Sequence, residues 1–130
     1  MMMIKELKIG IIGTAKTIVN EQNTAKAMKS GALDVFATPC MCALMEEASC
    51  SCINAYLDEG CGTVGISLNI THDRPSAIGD EIVATATLIK IEGRKLTFEV
   101  QAKDNDKIIG KGTHERFIIN NEKFMAKLNK

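Results

Sequence analysis

Residues 38–57 limit what this chain can become. Thr38-Pro39 opens the stretch, with a threonine suited to capping the first free N–H groups and a proline that loses no hydrogen bond in a first helical turn. Met41, Leu44, Met45, Ala48, Cys52 and Ile53 follow at helical spacings of three and four. Asp58-Glu59-Gly60 supplies the stop. The only charged residues from Thr38 to Leu57 are Glu46 and Glu47. A helix so poor in charge buries most of its circumference, so the remaining chain must wrap it. Neighbouring residues on a helix project about 100° apart, so if one glutamate meets solvent the other faces protein. A carboxylate held against apolar surroundings needs a partner or a purpose.

The flanking segments read mainly as strands. Lys8–Val19 is rich in β-formers, with bends hinted at by Gly10 and Gly13. Residues 20–23 form a turn, and Thr24–Lys29 is expected to make one or two helical turns before Ser30-Gly31. Beyond the helix, Thr63–Thr71 alternates apolar and polar residues and carries His72 at its end. Residues 73–80 form a loop punctuated by Pro75 and Gly79. Glu81–Glu92, Leu96–Ala102 and Ile108–Ile119 are strands joined by turns at 92–94 and 104–106, and Asn121–Leu128 closes as a short helix or tail. One helix among antiparallel strands is an α+β fold. A single apolar helix wrapped by a long, curled antiparallel sheet is the hotdog arrangement, here one domain over residues 1–130.

The 16 basic and 16 acidic residues balance, which removes the electrostatic basis for holding nucleic acid or an anionic membrane. No apolar run reaches the roughly 18 residues of a membrane span. The first eight residues lack a signal-peptide core, so a cytoplasmic protein is expected. The cysteines at 40, 42, 50, 52 and 61 are odd in number and crowded, unlike a disulfide framework. Cys-x-Cys on a helix sends its thiols to nearly opposite sides, which suits no single metal. They read as small buried apolar side chains in a reducing compartment. No metal or other cofactor is expected.

Five pieces together, Val35-Phe36-Ala37-Thr38, Leu44-Met45-Glu46, Thr71-His72, Glu92-Gly93-Arg94 and Gly112-Thr113-His114-Glu115-Arg116, resemble the fluoroacetyl-coenzyme A thioesterase family of hotdog proteins. The resemblance runs from about Gly10 to Phe124. It implies an acyl-CoA thioesterase whose catalytic residues are Thr38, Glu46 and His72, with Gly65 holding the thioester. The fluorine-selective member has aromatic residues on a lid before the central helix. Residues 28–34 hold none here, which implies a different small or medium acyl group.

Thioester hydrolysis needs a carboxylate nucleophile, giving a mixed anhydride, or a carboxylate that takes a proton from water. Glu46 suits either role. His72 can exchange a proton near neutral pH. His114, inside a strand, reads as structural. Arg116 can reach a coenzyme A phosphate, although a surface or cross-strand ion pair is the plainer expectation. Free N–H groups at the helix start could stabilise an oxyanion. Thr38 and Glu46 lie eight residues apart, about 12 Å along a helix, so they cannot hydrogen-bond within one chain. A homodimer with a composite site is therefore expected. The competing reading is a non-catalytic acyl-CoA or small-ligand binding protein. A hydratase is disfavoured because its Asp-x4-His pattern is missing.

Overall fold

The computed structural model describes residues 7–129. Its elements are β1 (Ile12–Ile18), α1 (Thr38–Ile53), a 3-10 turn (Asn54–Tyr56), β2 (Cys61–His72), β3 (Glu81–Glu92), β4 (Lys95–Asp104), β5 (Lys107–Asn120) and α2 (Asn121–Ala126). The five strands form one antiparallel sheet in the order β1-β3-β4-β5-β2, which leaves β1 and β2 as its edges. This is the expected α+β hotdog arrangement.

The period of each strand decides which residues meet the helix. Ile82, Ala84, Ala86 and Leu88 of β3 and Leu96, Phe98, Val100 and Ala102 of β4 are buried on the inner face. They pack with Met41, Leu44, Met45, Ala48, Cys52 and Ile53, the helix positions given by its apolar period. Helix α1 lies chiefly over β1 and β3, with fewer contacts to β2. A β-carbon on Gly13 would collide with the backbone of Ala48 and Cys52, so only glycine permits this approach of β1 to the helix. Cys52 Sγ also reaches the Ile11 carbonyl at 3.3 Å.

Several local expectations change. The N-cap of α1 is Ala37, and Thr38 is already helical and makes no side-chain cap. Its hydroxyl has a different partner, described below. The α-helix ends at Ile53 before the 3-10 turn, ahead of Asp58. Strand β1 starts at Ile12, because Gly10 takes a φ of +102° that breaks extended backbone. Residues 24–29 form turns, tied down by a bridge from Thr24 to Phe36. Only Cys52 is fully buried; Cys40, Cys42 and Cys50 are half-buried because the helix is not sheathed on every side, and Cys61 is half-buried at the start of β2.

Candidate active site

Two polar groups lie along α1, two helical turns apart. The first joins the helix start to the end of β2. Thr38 Oγ1 and His72 Nδ1 share a 2.6 Å hydrogen bond. The other ring nitrogen, Nε2, is buried with no partner among the described residues. Burial holds the His72 pKa below the ordinary imidazole value, against the opposing charge of Asp73 and the Arg74 backbone. The ring is therefore neutral near pH 7 and able to accept a proton. A hollow of about 250 Å³ opens beside this pair, between Phe36 and Arg74.

The second group gathers around Gly65. A β-carbon placed there would stand 3.3 Å from Arg116 Nη1, 3.3 Å from His114 Cε1 and 3.4 Å from Glu46 Oε2. The missing side chain thus leaves a small space onto which a carboxylate, an imidazole and a guanidinium converge. Sheet register creates the meeting: Gly65 pairs with Arg116 and Leu68 with His114, with the ladder shifted between Gly65 and Ser67. That irregularity is a β-bulge, a common device for re-aiming side chains near sites. Glu46 is half-buried and Glu47 exposed, so the two glutamates divide as the helical geometry requires.

Hydrogen-bond chemistry fixes the state of His114. Its Nδ1 lies 2.7 Å from the Ser67 carbonyl, which only accepts, so Nδ1 carries the proton. Arg116 Nη1, which only donates, lies 3.1 Å from Nε2, so Nε2 is bare. Burial and the Arg116 charge push the His114 pKa down, while the Ser67 bond and Glu46 oppose them. Arg116 is held in turn by Thr63, through Nε to Oγ1 at 2.8 Å and Nη2 to the carbonyl at 3.0 Å.

The sequence expectation for Arg116 needs correction. Arg116 is only 8% exposed and makes no ion pair among the described residues. It sits on the inner phase of β5 with His114 and Ile118, so its guanidinium is spent on Thr63 and His114. His114, structural by its place inside a strand, also borders the Gly65 space. The signal was available: residues 114, 116 and 118 share one face of the strand, and two of the three are polar where the core should be apolar. Thr38 and His72 come together as a pair, and Glu46, Gly65 and Arg116 form a second group. The two sets do not join within one chain: Thr38 bonds His72 and not Glu46.

Cys42 lies one turn from both Thr38 and Glu46, and burial together with the Glu46 charge pushes its thiol pKa up. It is therefore a protonated thiol at neutral pH and a poor nucleophile. Among the described residues no cluster of three metal-ligating side chains occurs, and no helix is long and apolar enough to cross a membrane.

Residues 19–122 match the model of a family described as fluoroacetyl-CoA-specific thioesterase. The fluoroacetyl-CoA thioesterase of Streptantibioticus cattleyicolor is 42% identical over 95 residues, which span 73% of this chain and 68% of that protein. Mouse acyl-coenzyme A thioesterase 13 is 35% identical over 66 residues, 48% of this chain and 46% of its own. A solved structure of fluoroacetyl-CoA thioesterase FlK superposes with a TM-score of 0.90 at 34% identity, over 96% of this chain and 97% of that one. A thioesterase superfamily member from Thermus thermophilus gives 0.89 at 25% identity, over 97% and 93% of the two chains. By matched span, identity and architecture together, the chain belongs to the fluoroacetyl-CoA-specific thioesterase family and is a hotdog-fold thioester hydrolase.

Proposed function

We propose that this protein hydrolyses a small acyl-CoA at a composite site formed by two copies of the chain, with Glu46 as the reacting carboxylate. The observation that carries the reading is the space over Gly65, faced by Glu46 Oε2 and backed by His114 and Arg116. A thioester carbonyl seated there lies against Glu46. In one route the carboxylate attacks the carbonyl carbon, the C–S bond breaks, and water then cleaves the resulting anhydride. In the other Glu46 takes a proton from the water that attacks. Both consume one water and release a carboxylic acid and coenzyme A thiol.

Thr38 and His72 belong in the same reaction as a hydrogen-bonding and proton-exchanging pair, and His72 Nε2 is open to a further partner. One chain cannot bring that pair to its own Glu46. Thr38, Cys42 and Glu46 recur every four residues along one helix stripe, and none of the three is fully buried. Edge strand β2 is exposed from Gly65 to Ser67. A second copy set helix beside helix, with edge strands joined, would cover the stripe and deliver its own Thr38–His72 pair.

Relatives act, by name, on fluoroacetyl-CoA. Residues 28–34 of this chain hold no aromatic side chain to screen so small an acyl group, so a different short or medium acyl is the proposed substrate. Five free thiols fit a cytoplasmic setting. The test is hydrolysis of acyl-CoAs from acetyl to medium chain, followed by loss of thioester absorbance, for wild type and Glu46→Ala together. Turnover that vanishes in the variant supports the assignment; turnover retained in Glu46→Ala refutes it.

A further inference from the structure

The charge of Arg116 is buried beside a carboxylate that it does not grip. Arg116 Nη1 and Glu46 Oε2 stand 3.3 and 3.4 Å from one point, the place a β-carbon on Gly65 would take. The two side chains nevertheless form no ion pair. Every acceptor that the guanidinium does reach is neutral: the Thr63 hydroxyl, the Thr63 carbonyl and the bare nitrogen of His114. Away from water, opposite charges attract more strongly, so a free guanidinium would close on Glu46. Something holds it back.

Thr63 is placed to do so. It stands two residues before Gly65, on the same inner phase of β2, and Gly65 pairs with Arg116 across the ladder. The Arg116 side chain passes close to the bare glycine, and Thr63 meets its Nε–Nη2 edge. The hydroxyl accepts from Nε at 2.8 Å and the carbonyl from Nη2 at 3.0 Å. That edge carries two parallel N–H groups and is one that a carboxylate can grip at two points. Thr63 fills it with two neutral oxygens. Nη1 is left to face His114 and the Gly65 space.

We propose that Thr63 is a positioning residue: its hydroxyl and carbonyl hold the Arg116 fork, so that Glu46 keeps an unpaired carboxylate for the thioester. A carboxylate locked into a two-point ion pair is a weaker nucleophile and a weaker base. The proposal rests on Glu46 as the reacting group and adds a residue to which that reading gives no part.

The test uses Thr63→Val, which keeps the shape and loses the acceptor, and Thr63→Ser, which keeps the acceptor. Thr63→Val is made both in wild type and in Arg116→Met, which retains an apolar stem without the charge. In wild type, Thr63→Val is expected to lower kcat roughly tenfold or more, and Thr63→Ser to stay within about threefold. In Arg116→Met, Thr63→Val is expected to cost nothing further, because Thr63 acts through the guanidinium. A merely structural role would remove the same factor in both backgrounds. Wild-type kcat in Thr63→Val overturns the proposal, and so do equal losses in the two backgrounds. The Arg116 Nε–H resonance reads the same contact without turnover. It is expected to be unchanged in Thr63→Ser, to shift in Thr63→Val, and to shift again when Glu46→Gln is added to Thr63→Val. Should wild type hydrolyse no acyl-CoA, the enzymatic reading fails on its own. The resonance then decides, as it does if Arg116→Met is inactive or unfolded: a signal unmoved by Thr63→Val, or moved there but insensitive to Glu46→Gln, overturns the holding role.

Discussion

Gly65→Ala isolates the empty space from everything around it. The added methyl would stand 3.3 to 3.4 Å from Arg116, His114 and Glu46, a few tenths of an ångström inside comfortable contact. Gly65 is not among the glycines with positive φ, so alanine is compatible with its backbone. Restricting the unfolded chain would favour the variant by about 0.5–1 kcal/mol, and crowding would offset a similar amount. Stability should therefore stay within about 1 kcal/mol of wild type, or about 5 °C in Tm. Catalysis should not survive so well. The methyl occupies the place where the thioester must meet Glu46, and a shift of about 1 Å at a reacting centre costs on the order of 100-fold, or about 2.7 kcal/mol of barrier. The assay is kcat/KM by loss of thioester absorbance, with thermal unfolding of the same preparation. A folded Gly65→Ala enzyme within threefold of wild-type kcat/KM would show that substrate does not use this space.

Thr38→Val removes the bond to His72 while sparing the helix, because Ala37 and not Thr38 is the N-cap. Unfolding should shift by less than about 1 kcal/mol, with a marked drop in kcat that Thr38→Ser restores; equal activity in Thr38→Val and wild type would remove Thr38 from the mechanism. Both histidines have lowered pKa values, His72 and His114 alike through burial first. Below the unfolded value of about 6.5 the unfolded chain binds protons that the folded rings resist. Their neutral forms thus support the fold fully above that value, and the support is lost as pH falls through it toward the lowered folded values. Plots of Tm against pH from 8 to 5 should fall less steeply for His114→Asn than for wild type, and parallel plots would contradict the burial argument. Gly13→Ala drives a methyl into the backbone of α1 at Ala48 and Cys52, so it should cost about 3 kcal/mol or more in urea unfolding; a near-neutral result would mean that β1 and the helix are not so closely packed.

Long-period signals were legible in the sequence. The loop at 73–80 and the turn at 92–94 marked both ends of β3, and the helical spacing from Met41 to Ile53 named every major residue that α1 contributes to the core. Helical geometry says only that one of Glu46 and Glu47 faces protein; the family resemblance picks out Glu46, and the structure leaves Glu47 exposed. Local chemistry misled where a residue had two possible partners. Thr38 before Pro39 has the form of a cap, but its hydroxyl goes to His72, thirty-four residues away, and nothing local reveals that competition. An arginine in a strand reads most plainly as a surface or cross-strand ion-pair partner. The register of β2 on β5 turns it inward to Thr63 and His114. That register depends on the bulge beyond Gly65; a glycine inside a strand is a sign of such a bulge but does not say which partner residues it re-aims.

The continuity of α1 between its two polar groups bears on how the gene can change. Thr38 and Glu46 sit in one unbroken helix, so deleting or inserting a single residue between them would swing Glu46 by about 100° and withdraw it from the Gly65 space. Substitution can explore this stretch, but length cannot. The turns at 24–34 are mostly exposed and lie outside the sheet, so they can gain or lose residues at small entropic cost. New acyl preferences are therefore expected to arise by remodelling that segment, with the spacing of the reacting groups left untouched.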